Sequence, residues 1–304
     1  MTQHSLLSRY ADRLGFGGSV LDLHRRAQGT REQVLGLLDE ILLAHTHAIC
    51  FENLDVVAYR ARGDLRAVSI DVDGVAEKLL DAGRGGYCHE HAVLIRAAVT
   101  ELGLTAHPVL ARVHLGGPGD APGGLTHQAT IVELDGRRYL IDPGFGGGTP
   151  EAALELSGSA EARTTPHGEH RLVPATTALE PQLRADSDWV LQSRTRSDQD
   201  FRTVYAFSEA RRAQADLELA NWFTSTHPGS RFTGPPILAR PLPDGGRNTL
   251  EGRRLRRAIG VAQTESDERS LADATEFAEV LSTDFGLDLD TGFSDLVWSM
   301  TAEG

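Results

Sequence analysis

The first chemical question is posed by one cysteine. Cys88 lies in Arg84-Gly85-Gly86-Tyr87-Cys88-His89-Glu90-His91, and Cys50 is the only other cysteine in 304 residues. A thiolate is a strong nucleophile, and a helix N-terminus favours negative charge. Downstream, Ala92, Ile95, Val99 and Leu102 recur at helical spacing and Gly103 ends the run, so Cys88 is expected at or within one turn of a helix start. Gly85 and Gly86 read as a tight turn that exposes the sulfur. A free cysteine is more often a small buried hydrophobe, so Cys88 needs partners before it counts as a nucleophile.

A thiolate needs a base, and the base an orienting group. His127 follows a glycine-rich stretch (116–126) and opens an apolar run, and Asp142 closes the next run before Pro143. Asp135-Gly136 between these runs is a hairpin signal. A two-residue turn there pairs residues 129 and 142 and leaves 127 and 142 within about two residues of register. A bulge would make them neighbours. A Cys–His–Asp triad is therefore geometrically open. So is a zinc reading with Cys88, His91 and His127, although no second cysteine stands near. Glu52, in Phe51-Glu52-Asn53-Leu54-Asp55, is a candidate ion-pair partner for Arg84, which abuts Cys88.

The elements that must hold these groups change type along the chain. Up to 103 the pattern is helical: Val34, Leu37, Leu38, Ile41 and Leu42 share one face, and a second helix runs from Asp71 or Asp73 to Gly83. From 104 to 200 apolar alternation reads as strands, with a polar loop at 157–170. From 201 to 304 helix and strand mix, including a helix over 214–226, strands around 236–259 and a terminal helix bearing Phe277, Val280 and Leu281. The expectation is an α+β chain of three parts, 1–103, 104–200 and 201–304. The net charge of −13 argues against sequence-independent nucleic-acid binding. No apolar run approaches the roughly 20 residues of a membrane span, and no signal-like N-terminus is visible. A reducing cytoplasm is the expected setting.

Together these residues resemble the arylamine N-acetyltransferases. The resemblance rests on Arg84-Gly85-Gly86-Tyr87-Cys88, on Thr126-His127, on Asp142-Pro143-Gly144-Phe145-Gly146, on 51–55 and on 221–232, in family order from about residue 7 to 290. It implies a helical bundle, a β-barrel and an α/β lid, with a thiol-protease-like triad of Cys88, His127 and Asp142 between the first two. It implies ping-pong acetyl transfer from acetyl-CoA, as co-substrate, to an arylamine, hydrazine or arylhydroxylamine. No tightly bound cofactor and no metal are expected, and no oligomeric state is implied. Phe145 would line the acyl and amine pocket. Gly144, Gly146, Thr126, Asn221, Phe223, Thr226 and His227 would lie near substrate or CoA, with Arg84 and Glu52 as support. The chain departs from the family pattern at Cys50, His89, Ala92 and Pro143.

Three rivals remain at this stage. An amide synthase of the same fold would release a carrier-bound acyl chain as an amide. A thiol hydrolase would pass the acyl group to water. A non-catalytic acyl-CoA or small-molecule binder would have no need of all three triad residues.

Overall fold

The computed structural model describes residues 5–17, 20–114, 121–261 and 265–301. The chain opens with helices α1 (Leu6–Leu14), α2 (Val20–Ala27) and α3 (Arg31–Ala48). Thr30 starts α3 through a capping box with Gln33, and Val34, Leu37, Leu38, Ile41 and Leu42 are all buried on one stripe. A two-residue strand β1 (Phe51–Glu52) precedes α4 (Leu54–Ala61). Helix α5 (Val72–Ala76) is capped by Asp71 and runs into a π-helical turn, Glu77–Asp81. Helix α6 (Cys88–Glu101) is the central helix, and its Leu94, Ile95, Ala98 and Val99 are fully buried.

Eight antiparallel strands follow: β2 (Thr105–Val113), β3 (Leu125–Leu134), β4 (Arg137–Ile141), β5 (Leu154–Glu155), β6 (Arg163–Thr165), β7 (Gly168–Pro174), β8 (Trp189–Arg194) and β9 (Arg202–Phe207). Short helices α7 (Ala175–Ala178) and α8 (Pro181–Arg184) interrupt them. The sheet order is β5-β4-β3-β2-β9-β8-β7-β6, and β5 also packs near β7, so the sheet curls into a nearly closed barrel. Val109, Ala111, Ala129, Ile131, Leu191 and Phe207 fill it.

Helix α9 (Gln214–Thr226) and a 3-10 turn (Arg231–Thr233) lead into the lid: β10 (Ile237–Pro241), β11 (Arg247–Glu251), β12 (Arg254–Ile259), β13 (Glu265–Ser270), α10 (Ala274–Phe285) and α11 (Thr291–Ser299). The lid sheet recruits β1 from the helical part, with Phe51 opposite Ala239 and Glu52 opposite Leu238.

Four expectations are corrected here. The polar stretch 157–170 contains β6 and the start of β7, a hairpin whose short outer strand carries too few apolar residues to signal itself. The barrel does not end at 200, because β9 completes it between β2 and β8. The helix with Phe277, Val280 and Leu281 is followed by α11, whose Val297 is buried in the same cluster. Gly85 and Gly86 have no positive φ and are there for close approach instead. A Cβ on Gly85 would sit 2.2 Å from the Cys50 carbonyl oxygen, and one on Gly86 2.8 Å from Glu90 Oε2. The segment lies against β1, with Glu52 N–H donating to the Gly86 carbonyl and Gly86 N–H to that of Cys50.

Among the described residues no helix is long and apolar enough to cross a membrane.

Candidate active site

Cys88 is the first residue of α6, after Tyr87 at the N-cap, and Glu90 Oε2 accepts from Tyr87 N–H at 3.1 Å. The first-turn N–H groups of a helix have no intrahelical partner, so Cys88 N–H is free to face an incoming oxygen. Gly144 is pressed onto this turn: a Cβ there would lie 2.8 Å from His91 Cβ and 3.2 Å from Cys88 Cα. Only glycine lets the loop after β4 pass the Cys88 backbone so closely.

The β3–β4 hairpin turns at Asp135-Gly136, both with positive φ, as a type I′ turn requires. Thr130 pairs with Ile141 and Leu134 with Arg137, so the register carried on places 142 opposite 129. Side chains 127 and 129 share a face, which makes His127 and Asp142 diagonal neighbours. The imidazole Nε2 is 2.7 Å from Asp142 Oδ2. No bulge between β3 and β4 is needed. The irregularity falls instead between β3 and β2, where Ala111 pairs with His127 and Arg112 with Leu125. That leaves Thr126 extra beside the site, the usual place for a bulge that re-aims a side chain.

Cys88 lines the same cavity as this imidazole. Burial alone would push His127 down, but the Asp142 carboxylate, by charge and hydrogen bond, and the adjoining Cys88 outweigh it and raise the imidazole to about 10. Asp142 is itself held on both oxygens: Tyr205 O–H donates to Oδ2 at 2.8 Å and Gly144 N–H to Oδ1 at 3.1 Å. Phe145 stands edge-on to His127 with centroids 5.0 Å apart.

Cys88, His127 and Phe145 line a cavity of about 710 Å³. Its wall includes Cys88, Thr126, His127, Gly144, Phe145, Gly146 and Phe223, together with Phe51, Val204 and Phe232. Asn221, Thr226 and His227 are not part of the wall. Asn221 is buried, donates to the Val68 carbonyl and accepts from Tyr87 O–H. Thr226 donates to the Trp222 carbonyl, and exposed His227 stacks on Phe223. Asn221 and Thr226 lie on sides of α9 that do not line the cavity, and His227 follows the helix end.

The histidines flanking Cys88 are spoken for. His91 Nε2 lies 2.9 Å from the Gly86 carbonyl and must donate, so its Nδ1 accepts from His45 Nε2 at 2.6 Å. His45 Nδ1 then accepts from Tyr10 O–H at 2.6 Å. This chain fixes both tautomers as neutral, and burial depresses both rings, His91 to about 4. His91 is thus unavailable to a zinc ion shared with Cys88 and His127. His89 bonds Gln128 at 3.1 Å and burial pushes it down to about 4. Cys50 is buried, which pushes its thiol up, and its Sγ contacts the Phe51 and Ala239 carbonyls.

Beneath α6 lies a buried charge network. Arg84 donates to Glu52 at 3.0 Å and to Asp55 at 2.9 Å. Lys78 bridges Asp55 at 2.7 Å and Glu90 at 2.8 Å. Burial would raise Asp55, but Lys78 and Arg84 hold it down at about 2. Glu90 goes the other way: burial first, then its acidic neighbours, lift it to about 7 against the pull of Lys78. Lys78 is the only lysine in the chain, and that singularity was the signal that could have flagged it. Tyr205 could have been found from the alternation in Arg202–Phe207. Because Glu52 is 0% exposed, Glu52→Gln should leave Arg84 under-compensated and cost about 3–5 kcal/mol. Thermal and urea unfolding measure this, and an unchanged midpoint would mean the network is not stabilising.

The comparisons with known proteins agree with this architecture. A family model described as N-acetyltransferase matches residues 34–294, so fold and sequence place the chain among acyl-transferring enzymes. The chain belongs to the arylamine N-acetyltransferase family. It is 34% identical over 248 residues to the arylamine N-acetyltransferase of Escherichia coli, covering 82% of this chain and 80% of the relative. It is 34% identical over 289 residues to that of Mycobacterium bovis, covering 93% and 89%. Among solved structures, the Salmonella typhimurium enzyme superposes with a TM-score of 0.80 at 29% identity, covering 98% and 99%. The Mycobacterium marinum enzyme in complex with CoA superposes with a TM-score of 0.79 at 31% identity, covering 97% and 99%.

Proposed function

We propose that the chain transfers an acetyl group from acetyl-CoA to an arylamine, hydrazine or arylhydroxylamine by a ping-pong route through acetyl-Cys88. The observation that carries this reading is that Cys88 and His127 line one largely apolar cavity, with Asp142 buried behind His127 and bonded to it at 2.7 Å. His127 holds the proton of the thiol, and its charge favours the thiolate beside it. The sulfur attacks the thioester carbonyl. The oxyanion that develops meets Cys88 N–H at the start of α6, where the helix end adds positive potential. Collapse breaks the carbon–sulfur bond to CoA, and His127 protonates the leaving thiolate. The amine then attacks acetyl-Cys88, gives its proton to His127, and the Cys88 sulfur leaves. Phe145 and Phe223 offer flat apolar surfaces to an aromatic amine. Arg231, Arg254 and Arg256, also in the cavity wall, offer cations to the phosphates of CoA. The proposed setting is cytoplasmic, where both thiols stay reduced.

Intact-mass spectrometry after brief incubation with acetyl-CoA alone tests the route. The expected result is a gain of about 42 Da, one acetyl group, lost when an arylamine is added. Absence of the adduct, with adducts instead from carrier-bound acyl donors, would favour an amide synthase. An adduct lost at the same rate with and without amine would favour a hydrolase.

A further inference from the structure

His47, Glu151 and His167 converge from distant parts of the chain. His47 is in the last turn of α3, Glu151 lies between β4 and β5, and His167 turns between β6 and β7. One ligand-capable atom of each lies within 4.8 Å of the other two. His167 and Glu151 are fully buried side chains. His167 Nε2 is 3.0 Å from the carbonyls of Leu242 and Gly246 in the β10–β11 turn, so Nε2 carries a donating hydrogen. Its Nδ1 faces Glu151 Oε2 at 2.7 Å. A lone pair and a carboxylate cannot meet at that distance without a proton between them, and a metal ion would take that proton's place. Glu151 Oε1 accepts from Thr46 at 3.2 Å. His47 Nε2 is buried without a partner, and its ring stands edge-on to His167 with centroids 5.6 Å apart.

We propose that these three residues form a site for a divalent transition-metal ion, with zinc the best fit, distinct from the Cys88 centre. Two imidazoles and a carboxylate are a zinc donor set with a fourth position left for water. Calcium and magnesium want more oxygen ligands than are gathered here. The carbonyl anchors on His167 Nε2 are the outer-shell device that orients a ligating imidazole and keeps its other nitrogen free for the metal. Zinc bonds of about 2.0–2.1 Å in tetrahedral array put donors roughly 3.3 Å apart. Donors as far as 4.8 Å apart would therefore draw together, and the Glu151–His167 contact would open from 2.7 Å. Arg240 acts on His47 and buried Arg247 on Glu151. Both cations oppose a dication, so the ion is exchangeable rather than permanently held. Once bound, it ties the lid turn at 242–246 to the helical part and the barrel.

The test uses the full chain carrying Cys88→Ala, so that thiol and His127 do not together capture metal, and titrates zinc chloride alone by calorimetry. One equivalent should bind, cobalt in its place should give a visible absorption band of a low-symmetry nitrogen–oxygen site, and zinc should raise the melting temperature. His47→Phe and Glu151→Gln should each weaken binding at least about tenfold, the least that loss of even an outer-shell partner costs. His47→Phe removes a nitrogen that has no partner, so it should remain folded and decides the matter if Glu151→Gln does not. No binding, or equal binding in His47→Phe, overturns the site.

Discussion

Cys88→Ala should show no measurable acetyl transfer and no mass adduct with acetyl-CoA, yet melt close to the parent. The substitution removes one sulfur from the first position of α6, where alanine is a good helix former. The thiol's hydrogen-bond partner is the Thr126 carbonyl at 3.9 Å, so the structural loss should stay about 1 kcal/mol. Nothing else can replace the sulfur: Cys50 is enclosed between β1 and β10 with its thiol pushed up by burial. Turnover assays, intact mass and a melting curve on the same preparation separate the possibilities. Turnover that survives would move the chemistry away from Cys88, to direct transfer within a ternary complex. Loss of both turnover and folding would instead mark Cys88 as a packing residue.

Asp142→Asn should lower turnover by about four orders of magnitude, the loss seen when a triad carboxylate becomes an amide. The geometry gives the reason. Asp142 accepts on Oδ2 from both His127 and Tyr205 and on Oδ1 from Gly144 N–H. An amide group placed toward His127 turns Nε2 into an acceptor and moves the ring proton to Nδ1, where it blocks uptake of the thiol proton. Flipped the other way, the NH₂ meets Gly144 N–H, donor against donor. The same variant has a pH signature. His127 is raised from 6.5 to about 10 in the fold, so its pairing contributes fully below about pH 6.5 and fades as pH rises through 10. The stability gap between parent and Asp142→Asn should therefore narrow from pH 6.5 to 10. Urea unfolding at stepped pH measures it. A gap that stays constant or widens would mean that the His127 pairing does not carry the difference.

Local chemistry explains why so much was legible beforehand. A helix start at Cys88, the stripe on α3, the cap at Asp71 and the Asp135-Gly136 turn each depend on a few neighbouring residues, so periodicity and turn preference expose them. The hairpin register follows from a two-residue turn, which is why His127 and Asp142 could be set near each other without coordinates. The short strand β6 was missed because it is held by its pairing with β7 rather than by an apolar pattern of its own.

By itself, then, the sequence determined the helix that starts at Cys88, the hairpin that sets His127 beside Asp142, and a family pattern spread over most of the chain. Only the tertiary structure decided what depends on close approach between distant segments. Gly85 and Gly86 proved to be contact surfaces for β1 rather than turn residues. Asn221 and Thr226 took up buried hydrogen bonds outside the cavity wall, and His227 stacked on the wall residue Phe223. Lys78 came to rest between Asp55 and Glu90, and His47 came beside Glu151 and His167. Burial and charge pairing of this kind act through space, between residues up to more than a hundred positions apart, and no local spacing rule reports them.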